Sequence, residues 1–253
     1  MYSRFTLGTM GILLAALVIH ADRLDAATFT VNPMQVVFTP ARKSAVITLK
    51  NTSKEDMRFQ VSVFTWEQTA RGEMQLGETK DVVFFPQLLT LGPGQQRPIR
   101  LGITGSIGGP EKSYRVFFTE LPRADRPTAA SANGVQMRVK VGLPIFVSSA
   151  SRGTAMVAIH NSRQADGHAT FSVENSGLTH VVVDAIHVRG LDSAGRHLFD
   201  RTRKGWYLLA QHRSEYDIAL GAGDCAAASL AVEVSIGKTV VRDQIAGPLT
   251  GCR

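Results

Sequence analysis

Apolar and polar residues alternate without a break from Val135 to Leu143. Val135, Met137, Val139, Val141 and Leu143 form one row, and Gln136, Arg138, Lys140 and Gly142 form the other. This period of two predicts a long strand over 135–147 with one apolar face. Two uses are open to such a strand. It can cover its own core, as most alternating strands do, or pair through its edge with another chain, the backbone giving affinity and alternate side chains giving register. Residues 29–38, 45–51, 58–66, 82–91, 97–103 and 114–121 read as six further strands. Turn signals part them at Asn51-Thr52-Ser53, Arg71-Gly72, Gly92-Pro93-Gly94 and Gly108-Gly109-Pro110. No segment sustains a helical period. Seven short strands in about 120 residues predict an immunoglobulin-like sandwich, with Trp66 on the third strand as a core aromatic.

A short polar joint, Ser148-Ser149-Ala150-Ser151, leads into a second run of strand patterns at 155–160, 168–175, 180–189, 205–209, 215–220, 228–236 and 239–243. The two halves do not repeat each other in sequence, so the pattern predicts two distinct all-β sandwich domains and not an array. A joint this short favours a fixed angle and a cleft between them. The expected division is 1–26, 27–148 and 149–253.

At 253 residues and 44% hydrophobic content, the chain is long enough to bury two cores of this size. Its first 26 residues stand apart. Arg4 precedes an apolar run over 5–19, and Ala26 offers a small residue at a cut, which reads as a secretory signal peptide. Ala21 is a competing cut, and a retained anchor is the alternative, although the run is short for a membrane span. No other segment is apolar enough to cross a bilayer, so no stable membrane insertion of the mature chain is expected. Removing 1–26 takes away Arg4 and Arg23 against Asp22 and Asp25, leaving the formal net charge at +7. The basic residues are scattered and lack an aromatic-interleaved stripe, and export separates the chain from nucleic acid, which is not expected as a partner.

Chemistry is sparse in the sequence. Cys225 and Cys252, the only cysteines, stand 27 positions apart and in an exported chain point to a disulfide. The histidines, His160, His168, His180, His187, His197 and His212 among them, are dispersed and read as surface or satisfied strand residues, so no metal site is expected. Gly102, Gly105, Gly108 and Gly109 precede Lys112, but Glu111 stands where a phosphate loop needs glycine, and a hairpin loop is the better reading. There is no Gly-x-Ser-x-Gly elbow. No catalytic residue, no cofactor and no enzymatic activity are expected.

Several short motifs occur in a recognisable order. These are Val31-Asn32-Pro33, Thr48-Leu49-Lys50-Asn51, Trp66, Pro86, Leu91-Gly92-Pro93-Gly94 with Ile99-Arg100-Leu101, Tyr114-Arg115-Val116-Phe117-Phe118-Thr119-Glu120-Leu121-Pro122, and Lys140-Val141-Gly142-Leu143-Pro144-Ile145-Phe146. In this the first half resembles the PapD-like periplasmic pilus chaperones, and within them the branch serving archaic, spore-coat-U-type pili. In the second half the resemblance rests on position and strand pattern. The resemblance implies two immunoglobulin-like β-sandwich domains in a boomerang arrangement, located in the periplasm. It implies an ATP-independent chaperone that complements pilin subunits with a donor strand and delivers them to an outer-membrane usher. By motif match Val135, Met137, Val139 and Val141 are the donor residues, and Lys140 is the cation that grips the pilin's C-terminal carboxylate.

The family's second anchoring cation falls at Gln35, which can donate from its amide but carries no charge. Arg138, on the same strand face as Lys140, is a further cation for that site. Arg100 and Glu111 fall where the family has an ion-pair arrangement near the domain interface. Two other readings remain at this point. An exported β-sandwich adhesin or structural pilus subunit would use the same edge for permanent assembly, and a secreted carbohydrate-active enzyme would need a carboxylate pair in a cleft.

Overall fold

The computed structural model describes residues 29–122, 138–149 and 155–252. Among the described residues, the first domain contains ten strands. They are β1 (Phe29–Asn32), β2 (Val36–Phe38), β3 (Ser44–Asn51), β4 (Met57–Gln68), β5 (Met74–Glu78), β6 (Val82–Phe85), β7 (Leu88–Leu91), β8 (Gln96–Ile103), β9 (Lys112–Leu121) and β10 (Lys140–Val147). One sheet runs β1-β3-β8-β6, and the facing sheet runs β2-β10-β9-β4-β5 with β7 also on β4. Ile47, Leu49, Phe59, Ile99, Phe118 and Ile145 close the core between the sheets. Two segments expected as single strands are each divided between the sheets, 29–38 at Pro33 and 82–91 at Pro86. Proline has no N–H to give a ladder, so the chain leaves one sheet there and enters the other.

The second domain comprises β11 (Val157–Ala165), β12 (His168–Asn175), β13 (Val181–Val182), β14 (Ala185–Leu191), β15 (His197–Lys204), β16 (Tyr207–Leu208), β17 (His212–Ala219), β18 (Ser229–Ile236) and β19 (Thr239–Ala246), with a 3-10 turn at Ala222–Ala226. Its sheets are β11-β12-β17, β13-β16 and β15-β14-β18-β19, packed over Phe171, Val173, Ile186, Val188, Leu230 and Val232. Two strands, β5 and β15, carry almost no buried residues and so leave no apolar alternation to read in the sequence.

Cys225 and Cys252 form a disulfide that ties the C-terminal tail to the 3-10 turn. The same turn is held by the buried Asp224, which accepts from the Arg201 guanidinium at 2.7 Å. Closing a loop of 27 positions restricts the unfolded chain by about 3 kcal/mol. Cys252→Ser is therefore expected to lower the second domain's unfolding free energy by about 2–4 kcal/mol, read by chemical denaturation, and to leave the first domain's transition in place.

Candidate functional site in the cleft between the domains

The sheet that holds β10 presents its outer face to the second domain. On β9, Tyr114, Val116 and Phe118 point into the sandwich core, so Ser113, Arg115, Phe117 and Thr119 point out. On β10, Leu143, Ile145 and Val147 enter the core, which sends Lys140, Gly142, Pro144 and Phe146 to the same outer face. That face is not simply polar. Phe146 and Trp66 pack with Leu209, Val37 and Tyr207 in a cluster that joins the domains. Trp66 is thus buried between the domains and not inside the sandwich, a correction to its expected core position.

Polar contacts lock the same junction. Gln68 donates to the Tyr207 carbonyl at 2.7 Å and accepts from the Leu209 N–H at 3.0 Å. Glu111 Oε1 receives the His180 N–H at 3.0 Å and its ring Nδ1 at 2.5 Å, and Oε2 receives the Ser148 hydroxyl at 2.5 Å. The His180 ring stacks on Phe146 with centroids 3.6 Å apart. Glu111 therefore does serve the interface, but its partner is His180 and not Arg100. Arg100 sits on β8 between the core residues Ile99 and Leu101, so alternation turns it outward, beside Phe85 and away from the second domain.

Burial raises the Glu111 carboxyl, but the hydrogen bonds from His180 and Ser148 and the attraction of His180 outweigh it and hold the group below its ordinary 4.5. A lowered folded pKa contributes stability above the ordinary value and loses it as pH falls through the folded one. Acidification below about pH 4 is expected to loosen the domain junction, read as a rise in radius of gyration by small-angle scattering. Glu111→Gln should remove most of that pH dependence.

Arg115 is the residue that sequence reasoning passed over. Its side chain stands in a strand that is otherwise almost wholly buried, and the residue is 5% exposed. Nη1 donates to the Gly142 carbonyl at 3.2 Å, while Nε and Nη2 have no partner among the described residues. The guanidinium lies 4.0 Å from the Trp66 ring centroid, 5.6 Å from that of Trp206 and 5.7 Å from that of Tyr207. No carboxylate pairs with it among the described residues, and desolvation pulls its pKa down. Aromatic faces offset part of the cost of burying a cation, but two unsatisfied donors on a charged group call for an anion.

Beside this cation the sheet has an open edge. β9 pairs with β10 from Lys140 to Val147, whereas β2 covers only Ile145–Val147 on the other side. Among the described residues, no strand lies against the outer edge of β10 from Lys140 to Pro144. The ladder reaches one residue further back, where the Glu120 N–H donates to the Val139 carbonyl at 3.0 Å. Such an edge offers unpaired N–H and C=O groups to another chain. Of the four expected donor residues, Val139 is exposed and Val141 packs partly against the core. Val135 and Met137 lie outside the described residues.

Lys140 is exposed, with Nζ 4.4 Å from the Phe117 ring centroid. Gln35, also exposed, precedes Val36, the residue level with Ile145 in the parallel β2–β10 pair. That register puts Gln35 beside Pro144, roughly 13 Å along the strand from Lys140, so the two expected anchors are not brought together. Arg115, level with Pro144 on β9, shares the outer face with both. Two of the three carboxylates lining the cleft are already engaged, Glu111 as above and Asp81 with the Tyr114 hydroxyl at 2.7 Å, and the third is Glu67. Among the described residues, no group of three or more His, Cys, Asp or Glu is placed to hold a metal ion, and no helix is long and apolar enough to cross a membrane.

Comparisons with known proteins bear on this geometry. Residues 28–151 match the N-terminal domain of PapD, described as a pili and flagellar-assembly chaperone. Among curated proteins, no sequence matches the chain. Among solved structures, the chain is similar to one from the CsuC–CsuE chaperone–tip adhesion subunit pre-assembly complex of the archaic chaperone-usher Csu pili of Acinetobacter baumannii. That match has a TM-score of 0.60 at 19% identity, covering 87% of this chain and 98% of the other. The class 5 fimbriae chaperone CfaA superposes with a TM-score of 0.54 at 15% identity, over 87% and 99% of the two chains. A chain of the Salmonella enterica SafA pilin–SafB chaperone complex does so with a TM-score of 0.53 at 11% identity, over 85% and 95%. These structures share the two-domain immunoglobulin-like fold. Residues 28–151, the sandwich that carries Arg115 and the open edge of β10, thus belong to the N-terminal domain family of the PapD-like pilus chaperones.

Proposed function

We propose that this chain is an ATP-independent periplasmic chaperone that captures pilin subunits by strand donation and passes them to an outer-membrane usher. One observation carries the reading: an unpaired strand edge lies directly beside a buried guanidinium with two free donors. A subunit strand added along β10 gains main-chain hydrogen bonds, and a terminal carboxylate on that strand satisfies Arg115. The expected donor row, Val135, Met137, Val139 and Val141, then faces the subunit's groove. Arg115 is the principal anchor in this reading, and Lys140, further along the same face, assists as a second cation, with Gln35 flanking. None of these steps calls for catalysis or a cofactor. The export expected from the first 26 residues supports the periplasmic location.

The alternative of an adhesin or structural subunit fits less well, because both sheets of the first sandwich are present and its core is closed. The test is co-expression with a small exported β-protein encoded alongside this chain, followed by fractionation and pull-down. A soluble periplasmic one-to-one complex, with the mature chain starting at Ala27, is expected. A self-assembled polymer of this chain alone would instead support the subunit reading.

A further inference from the structure

The three rings around the Arg115 guanidinium differ in one respect. Trp66 is buried and Tyr207 is half-buried, whereas Trp206 is 54% exposed. Trp206 comes from the second domain, between β15 and β16, and its backbone is fixed there. Its carbonyl accepts from the Val183 N–H at 2.9 Å, and the preceding Gly205 approaches Val183 so closely that a Cβ would sit 2.0 Å from the Val183 carbonyl oxygen. The ring is braced edge-on against Tyr207 with centroids 5.5 Å apart. A large apolar ring is therefore held in place, mostly solvated, next to a cation with unfilled donors. An indole in that setting is a contact surface waiting for a ligand, since it gives much area at low entropic cost.

Resting on the capture reading above, we propose that Trp206 is the specificity-determining wall of the carboxylate site. The terminal residue of the captured chain lays its own side chain on the indole while its carboxylate meets the Arg115 guanidinium. The site then prefers a C-terminal residue with an aromatic or large aliphatic side chain, and the second domain, not only the first, selects the subunit. A small or charged terminal residue would leave the indole solvated and lose this contact.

The test uses the full mature chain and labelled decapeptides of alternating Val and Thr, ending in Phe or Gly, each as free acid and as amide, with binding read by fluorescence anisotropy. The Phe acid is expected to bind about fivefold more tightly than the Gly acid. Trp206→Ala should erase that difference while keeping the preference for acid over amide, and Trp206→Phe should restore it. Circular dichroism melts confirm that both variants are folded. Equal binding of the Phe and Gly acids to the native chain, or a difference that survives in Trp206→Ala, overturns the assignment to Trp206 alone. Equal binding of acids and amides overturns the carboxylate anchor, and this proposal with it.

Discussion

Arg115→Met is expected to abolish subunit capture without lowering the stability of the free protein. The native side chain is buried with Nε and Nη2 unpaired, and its burial is offset only by the Gly142 carbonyl and the surrounding rings. A methionine of similar length removes the desolvation cost, keeps apolar contact with Trp66 and forfeits the contact between cation and ring, worth up to about 2 kcal/mol. Leaving charged donors unsatisfied costs at least as much, about 1–3 kcal/mol or more. The unfolding free energy should therefore stay level or rise by about 1 kcal/mol. Capture should fall by two orders of magnitude or more, since removing one partner of a desolvated charge pair typically costs about 2–5 kcal/mol. Lys140→Ala, at an exposed position, should weaken capture far less. A residue whose loss harms binding but not folding marks a functional site, and paired melts and pull-downs read both quantities.

The second large effect is expected at Gly142. A Cβ built there lies 2.6 Å from Phe117 Cε1 and 2.9 Å from its Cδ1, closer than carbon atoms pack. The Phe117 ring cannot simply swing away, because the Phe64 ring meets it edge-on at 6.0 Å and the Lys140 ammonium sits over it. The bare backbone of Gly142 thus lets the Phe117 ring lie across β10 next to the donated edge, while its carbonyl receives the Arg115 guanidinium. Gly142→Val should destabilise the first domain by about 2–3 kcal/mol through overpacking and disturb capture at the same time. Phe117→Ala in the same chain should recover much of the stability, because it removes the collision. Denaturation of the single and double variants measures that coupling.

Much of this architecture is legible in the sequence, because a period of two survives wherever one strand face is buried. β3, β9, β12 and β18 lie where alternation puts them. The pattern fails where a strand is solvated on both sides, as β5 and β15 are, and where proline divides an apolar run, as at Pro33 and Pro86. The site was harder to read. A period of two says which residues share a face but not what covers that face, so the row of Arg138, Lys140 and Gly142 gives no sign that Pro144, further along it, is buried or that Phe146 packs against the second domain. Arg115 did leave a signal, a lone charge inside Tyr114-Arg115-Val116-Phe117-Phe118. A charge within so apolar a strand is either expelled to solvent or held for a partner, and only the packing of Trp66, Trp206 and Tyr207 around it decides between these. The closure of the cleft by His180 on Glu111 joins residues 69 positions apart, which no local pattern encodes.

Strand donation is the central claim, and hydrogen exchange along β10 tests it most directly. In the free protein, alternate amides within 139–143 face an edge that no described strand covers, and they should exchange quickly. In a purified complex with a subunit those same amides should become strongly protected, while the edge strand β11 of the second domain stays unchanged. A stable complex in which residues 139–143 exchange as they do in the free protein would contradict the account.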